Sequence, residues 1–140
     1  MSQEQLGKDL KLVEKENGID IAVTSEGDLD TVVGEFNLGQ SLINKLRTNK
    51  GELENLGHRI YGSRLNELIG EPNNERTREL IKAYVREALL QDPRVKEITY
   101  LSLETFRDNP NRIDIKATIT PITGTTLLNI VFPFYLEVAS

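Results

Sequence analysis

The chain has 140 residues, 38% of them apolar and 28% charged, which suits one buried core and is too aliphatic for a disordered segment. It has no cysteine and one histidine, His58, so disulfides, thiolate metal sites and a multi-histidine zinc site within one subunit are excluded. A net charge of −5 with the signs interspersed argues against a nucleic-acid partner, because phosphate neutralisation needs clustered Lys and Arg.

The N-terminal stretch MSQEQLGKDLKLVEKENG holds neither the apolar run of a signal peptide nor a segment able to span a bilayer. Synthesis in the cytoplasm without a membrane partner is therefore expected. Leu10, Leu12 and Val13, then Ile19, Ile21 and Val23, flank Asn17-Gly18, a dipeptide that supplies the positive φ angles of a tight turn. An N-terminal hairpin is predicted, followed by an acidic loop from Ser25 to Asp30. A helix is predicted from about Asn37, with Asn37 and Gln40 as a capping box and Leu38, Leu42 and Leu46 in one stripe, Phe36 and Ile43 alongside.

Gly51 closes that helical unit, and Glu52 to Tyr61 reads as an irregular connection. A short helix is predicted over about Ser63 to Ile69, capped by Ser63 and closed by Gly70 and Pro72. The clearest helix is about Asn74 to Gln91, where Ile81, Tyr84, Val85, Ala88 and Leu89 make one face. Asn73 or Asn74 caps it, and Pro93 forbids its continuation.

Three β segments follow, at about Val95 to Phe106, Arg112 to Thr120 and Thr126 to Val138. In the middle one Ile113, Ile115, Ala117 and Ile119 alternate with Asp114, Lys116, Thr118 and Thr120. The turn-rich connections predict an antiparallel meander. The expected class is α+β, a single domain over residues 1–140, with an N-terminal hairpin and three helices packed on a mainly antiparallel C-terminal meander. Pro133 lies inside the last strand, where it cannot donate a ladder bond, so an edge or bulge is expected there. Leu128, Ile130, Phe132, Phe134 and Leu136 form its inward face, while Leu127, Val131 and Tyr135 load the other. So apolar an edge needs cover, from the N-terminal hairpin or from another chain's strand.

Asp92-Pro93-Arg94 is the candidate for specificity. Asp92 places a negative charge at a helix C-terminus, where the helix dipole favours a positive one. Either Arg94 offsets it within the chain, or the proline-fixed corner presents Arg94 to another subunit as a planar donor. Thr48, Gly51-Glu52 and Tyr61-Gly62-Ser63 read as structural, with glycines for turning, Tyr61 burying a ring and Ser63 capping. No Walker loop and no Gly-x-Ser-x-Gly elbow is present, and His58 beside Arg59 reads as a loop or interface side chain. No catalytic residue, metal ligand or cofactor is proposed from these residues.

The order Leu46, Thr48, Gly51, Glu52, then Tyr61, Gly62, Ser63 and Leu65, then Asp92-Pro93-Arg94 after a proline-stopped helix, resembles the tail-lysozyme-like baseplate wedge family of contractile tails. That family includes phage W proteins and the TssE component of type VI secretion. The resemblance covers about Phe36 to Leu103. It implies a structural, non-enzymatic subunit that joins the baseplate wedge to the first sheath ring and starts sheath assembly. Wedge proteins and the sheath subunit are the implied partners, with tube or hub proteins as further neighbours and six copies per particle. Assembly in the cytoplasm into a phage-tail or injection-particle baseplate is the implied localisation.

In that family a Glu-Pro-Arg motif after the long helix contacts the wedge. Pro93 and Arg94 match it, and Asp92 stands where Glu is usual, one methylene shorter. Leu53 replaces the Arg of the family's Gly-Glu-Arg, so any contact of that Arg is absent. Strand addition to Val131, Pro133 and Tyr135 is the expected sheath contact. The lysozyme label makes a small muramidase acting on peptidoglycan the alternative. That chemistry needs two carboxylates with separated roles, and no Glu here has the Asp nine residues on that phage-type lysozymes share.

Overall fold

Strictly alternating isoleucines set the centre of the molecule. In a computed structural model, which describes residues 10–16, 19–25, 29–48, 62–122 and 127–137, Ile113, Ile115, Ala117 and Ile119 of one strand are all buried on the same face. That strand, Arg112–Pro121, is β4, preceded in the chain by β1 (Leu10–Glu16), β2 (Ile19–Ser25) and β3 (Val95–Thr105) and followed by β5 (Leu127–Tyr135). The strands form one antiparallel sheet in the order β1-β2-β5-β4-β3. The turn expected at Asn17-Gly18 lies outside the described residues.

β5 is therefore an inner strand over most of its length. It pairs with β4 from Leu128 to Tyr135 and with β2 from Leu127 to Val131. The expectation of an open edge is corrected at Val131, whose partners are Asp20 on one side and Lys116 on the other. Past Val131, β5 has no β2 partner.

Two α-helices cover one face of the sheet. α1 runs Leu29–Arg47 and packs over β2 and β5, and α2 runs Glu75–Leu90 and packs over β3. α1 starts eight residues before the predicted Asn37, so Asn37 is an exposed position inside the helix and not its cap. The Thr-Val-Val-Gly stretch ahead of it has low helical propensity and hid the true start. Tertiary packing overrides that propensity. A Cβ on Gly39 would sit 2.8 Å from Ile21 Cγ2 and 3.2 Å from Leu128 Cδ1, so only glycine lets the helix lie this close to β2 and β5.

At α2, Asn74 is the cap: its side chain accepts from Thr77 N at 2.9 Å. Asn73 instead donates to Pro110 O at 2.8 Å and accepts from Arg78 Nη1 at 2.7 Å, which ties the helix start to the β3–β4 turn. The third predicted helix is only a 3-10 turn, Leu65–Leu68, because Gly70 takes a φ of 98° and bonds Leu136 O at 2.6 Å before another turn can form. The Ser63 hydroxyl accepts from Leu65 N at 3.4 Å at the start of that turn, whereas Arg64, which directly precedes the turn, makes no side-chain cap bond. Leu65 and Leu68 of that turn join Leu42, Ile43, Ile81, Val85, Leu89 and the isoleucines of β4 in one buried cluster. Among the described residues no helix is long and apolar enough to cross a membrane.

Candidate functional site

Two surfaces stand out. The first is the corner that follows α2. Pro93 cannot extend the helix, and the chain reverses tightly there, with Asp92 N donating to Leu89 O at 3.3 Å and Val95 N to Asp92 O at 3.0 Å. Arg94 turns back onto Asp92: Nε donates to Oδ1 at 3.0 Å, Nη2 to Oδ2 at 2.7 Å, and the Arg94 backbone N to Oδ1 at 2.9 Å. Asp92 is thus gripped by a two-pronged, charge-assisted pair, and its side chain is only 12% exposed while that of Arg94 is 50% exposed. The unfavourable charge at the end of α2 is offset within the chain. The Arg94 hydrogen bonds hold the Asp92 carboxyl below the usual carboxylate range, and the same bonds raise Arg94.

α1 supports the corner from behind. Ser41 Oγ accepts from Arg94 Nη2 at 3.0 Å. Lys45 is buried beside it, its ammonium pushed down by burial and pulled back up by Asp92. Glu35, also buried, acts on Arg94 from further along the same helix. The far side of the corner is fixed by Ile122 N, which donates to Arg94 O at 2.9 Å. With Nε and Nη2 engaged, Nη1 is the edge of the guanidinium that points no donor at a described residue. Ser41, Lys45 and Glu35 were not singled out from the sequence. A signal was present for Lys45, which falls at a core-facing position between Leu42 and Leu46.

The second surface is the end of β5. Leu136 N donates to Asn111 O at 2.8 Å across the β4 side. Main-chain groups alternate sides along a strand, so those of Phe134 and Phe132 also face β4, and those of Tyr135 and Pro133 face the side that β2 occupies only as far as Val131. Pro133, with no N–H, therefore breaks no ladder bond. Beside this stretch lies a groove of about 360 Å³ lined by Leu46 and Arg47 of α1, Leu65, Asn66 and Ile69, and the β5 residues themselves with Glu137. Pro133 is buried, whereas Tyr135 is 47% exposed and Ile69 is 38% exposed.

Between the two surfaces sits a junction made by Thr48, Gly62 and Ser63. Gly62 has φ 111°, a conformation open to glycine. Ser63 is buried, donating from N to Thr48 O at 2.8 Å and from Oγ to Leu46 O at 2.9 Å, and Thr48 Oγ1 donates back to Asn44 O at 2.8 Å. Ser63 thereby satisfies a carbonyl at the end of α1. Gly51, Glu52, Leu53, His58 and Tyr61 lie outside the described residues.

A family model for contractile injection system sheath initiators matches residues 8–124. Among solved structures, a Geobacter sulfurreducens protein provisionally named a tail lysozyme is similar at 25% identity and a TM-score of 0.66, over 76% of this chain and 95% of that one. No curated protein matches the sequence.

Proposed function

Since the chain belongs to the contractile injection system sheath initiator family, a structural family, we propose that it is the baseplate subunit that links the wedge to the first sheath ring and starts sheath assembly. Two surfaces support a linker. The corner of Asp92, Pro93 and Arg94 is the proposed wedge contact, and the observation that carries it is the Arg94 fork, locked on Asp92 and Ser41 while its side chain stays half exposed. A donor edge held this way loses little freedom on binding, which favours a partner carboxylate or carbonyl.

The end of β5 is the proposed sheath contact. Pro133 and Tyr135 offer main-chain groups there, and the Val131 side chain lies alongside on the same face of the strand. In this reading residues 1–140 act as one domain, with β1 and β2 closed into an N-terminal hairpin at Asn17-Gly18. The protein is assembled in the cytoplasm, in six copies per baseplate, with tube or hub proteins as neighbours.

The muramidase alternative rests on the name of a structural neighbour. A general acid must be held protonated, whereas Asp92 is shifted the opposite way by Arg94. Affinity purification of a tagged copy from its native cells, with mass spectrometry and electron microscopy of the eluate, tests the assembly reading. Sheath, tube and wedge proteins are expected with it. A clean monomer with no tail-like partners, together with loss of turbidity of a peptidoglycan suspension, would reverse it. Arg94→Ala is expected to fold, to stay in the soluble pool and to reduce wedge incorporation; normal particle yield would remove Arg94 from the contact.

A further inference from the structure

Resting on the assembly reading, we propose that the wedge contact is a charge-balanced, largely apolar patch in which Leu90, Pro93 and Ile122 flank the Arg94 fork, and that its partner is a protein surface offering a neutral carbonyl acceptor within an apolar ring. The two turns of the corner bring these residues to Arg94. Leu90 lies inside the first, which Asp92 N closes on Leu89 O, and Pro93 lies inside the second, which Val95 N closes on Asp92 O. Ile122 follows β4 and is held there by its own N–H on the Arg94 carbonyl.

Exposure makes the apolar flanks available. Leu89 and Pro121, the residues just before Leu90 and Ile122, are buried, whereas Leu90 is 49% and Ile122 57% exposed. Pro93 is exposed as well. A single exposed leucine on a protein surface is ordinary. Three exposed apolar residues about one arginine have instead the composition of an interface core, which is poor in charge yet rich in Arg.

Charge balance gives the chemistry of the partner. Glu35, Lys45, Asp92 and Arg94 act on one another at the corner, two acidic groups against two basic ones, so the cluster carries no net charge at neutral pH. A partner carboxylate would gain little from such a cluster. It would also meet Asp92, whose two oxygens already accept from the Arg94 backbone N, Nε and Nη2, and would bring a second negative charge out of water. A carbonyl oxygen can accept from the half-exposed guanidinium without that cost. The same pairing lets an apolar surface close over Arg94, because a paired cation is cheaper to cover than a lone one.

The test is binding of the full-length protein to wedge complexes purified from particles that lack this subunit, measured from about 50 to about 500 mM NaCl, a range over which exposed charges become screened. Wild-type affinity is expected to change by less than about threefold across it. Leu90→Gln and Ile122→Gln, which keep the net charge, are each expected to weaken binding about tenfold at an unchanged melting temperature, through loss of the apolar surface they would bury. Leu90→Met and Ile122→Val should bind like wild type, and so should Tyr100→Gln, at an exposed aromatic of β3. A steep loss of affinity with salt, or wild-type binding by either Leu90→Gln or Ile122→Gln, would overturn the neutral patch; a loss in Arg94→Ala alongside would then leave the wedge contact standing as a charged one. An equal loss in Tyr100→Gln would overturn it too, since the effect would not belong to the corner. Wild-type protein that takes up the sheath subunit but ignores the wedge complex would overturn the linking reading, and the patch with it.

Discussion

The Asp92–Arg94 corner and the end of β5 treat their polar groups in opposite ways. At the corner, carboxylate, guanidinium, hydroxyl and backbone amide are engaged with one another before any partner arrives. At the end of β5, main-chain groups face a side with no described strand, and apolar side chains are left in view. A preset polar surface favours specificity and a defined angle, because few side chains need ordering on contact. An unfinished sheet margin favours addition of chain, because its hydrogen bonds complete themselves only when another segment arrives. A subunit with one surface of each kind can be seated rigidly on one neighbour and extended by another.

The largest expected effect tests what the two surfaces share. Ile115 is fully buried at the middle of β4, between β3 and β5, so Ile115→Ala should cost about 3 kcal/mol in urea denaturation. Both binding activities should then fall together; loss of one alone would show that the surfaces do not depend on a common core. Next, Ser63→Ala removes a buried hydroxyl and leaves the Leu46 carbonyl without that partner, for a loss of about 1–2 kcal/mol. Leu46 lines the groove and Arg94 lies on the other flank of α1, so sheath binding should suffer more than wedge binding.

The smallest effect separates stability from recognition at the corner. Asp92 has a lowered folded-state pKa, so its contribution is complete above the unfolded value of about 4 and fades as pH falls through the folded one. The stability difference between wild type and Asp92→Asn should therefore stay flat from about pH 5 to 8 and shrink in more acidic solution. Because Arg94 is half exposed, Arg94→Lys should cost less than about 1 kcal/mol yet still reduce wedge copurification, since lysine keeps the charge and loses the fork. Full wedge binding by Arg94→Lys would mean that charge alone is read there.

Local patterns carried much of this fold. The alternation in β4, the apolar face of α2, its Asn cap and its proline stop are all decided within a few residues, and they stand where the sequence places them. The start of α1 was hidden because Val-Val-Gly speaks against helix, and the packing of α1 on β2 and β5 that overrides this is set by residues distant in the chain. Strand order was hidden for a different reason. Pro133 shows locally that one side of β5 is missing a donor, but which strand lies beside Leu127 to Val131 depends on β2, about a hundred residues earlier. The same limit applied to the candidate site. Asp92 and Arg94 are two residues apart and could be paired on paper, whereas Ser41 and Lys45 reach them only through the packing of α1.

Ser63 has one more consequence, for the length of the chain. Its backbone N–H meets the Thr48 carbonyl and its hydroxyl the Leu46 carbonyl, so positions 48 and 63 are pinned side by side. Closing a flexible connection between fixed ends grows dearer only slowly with its length, by about 0.6 kcal/mol for each doubling. With both ends of the interval pinned, a short affinity insert between them is expected to change the melting temperature little and would mark the subunit inside an assembled particle.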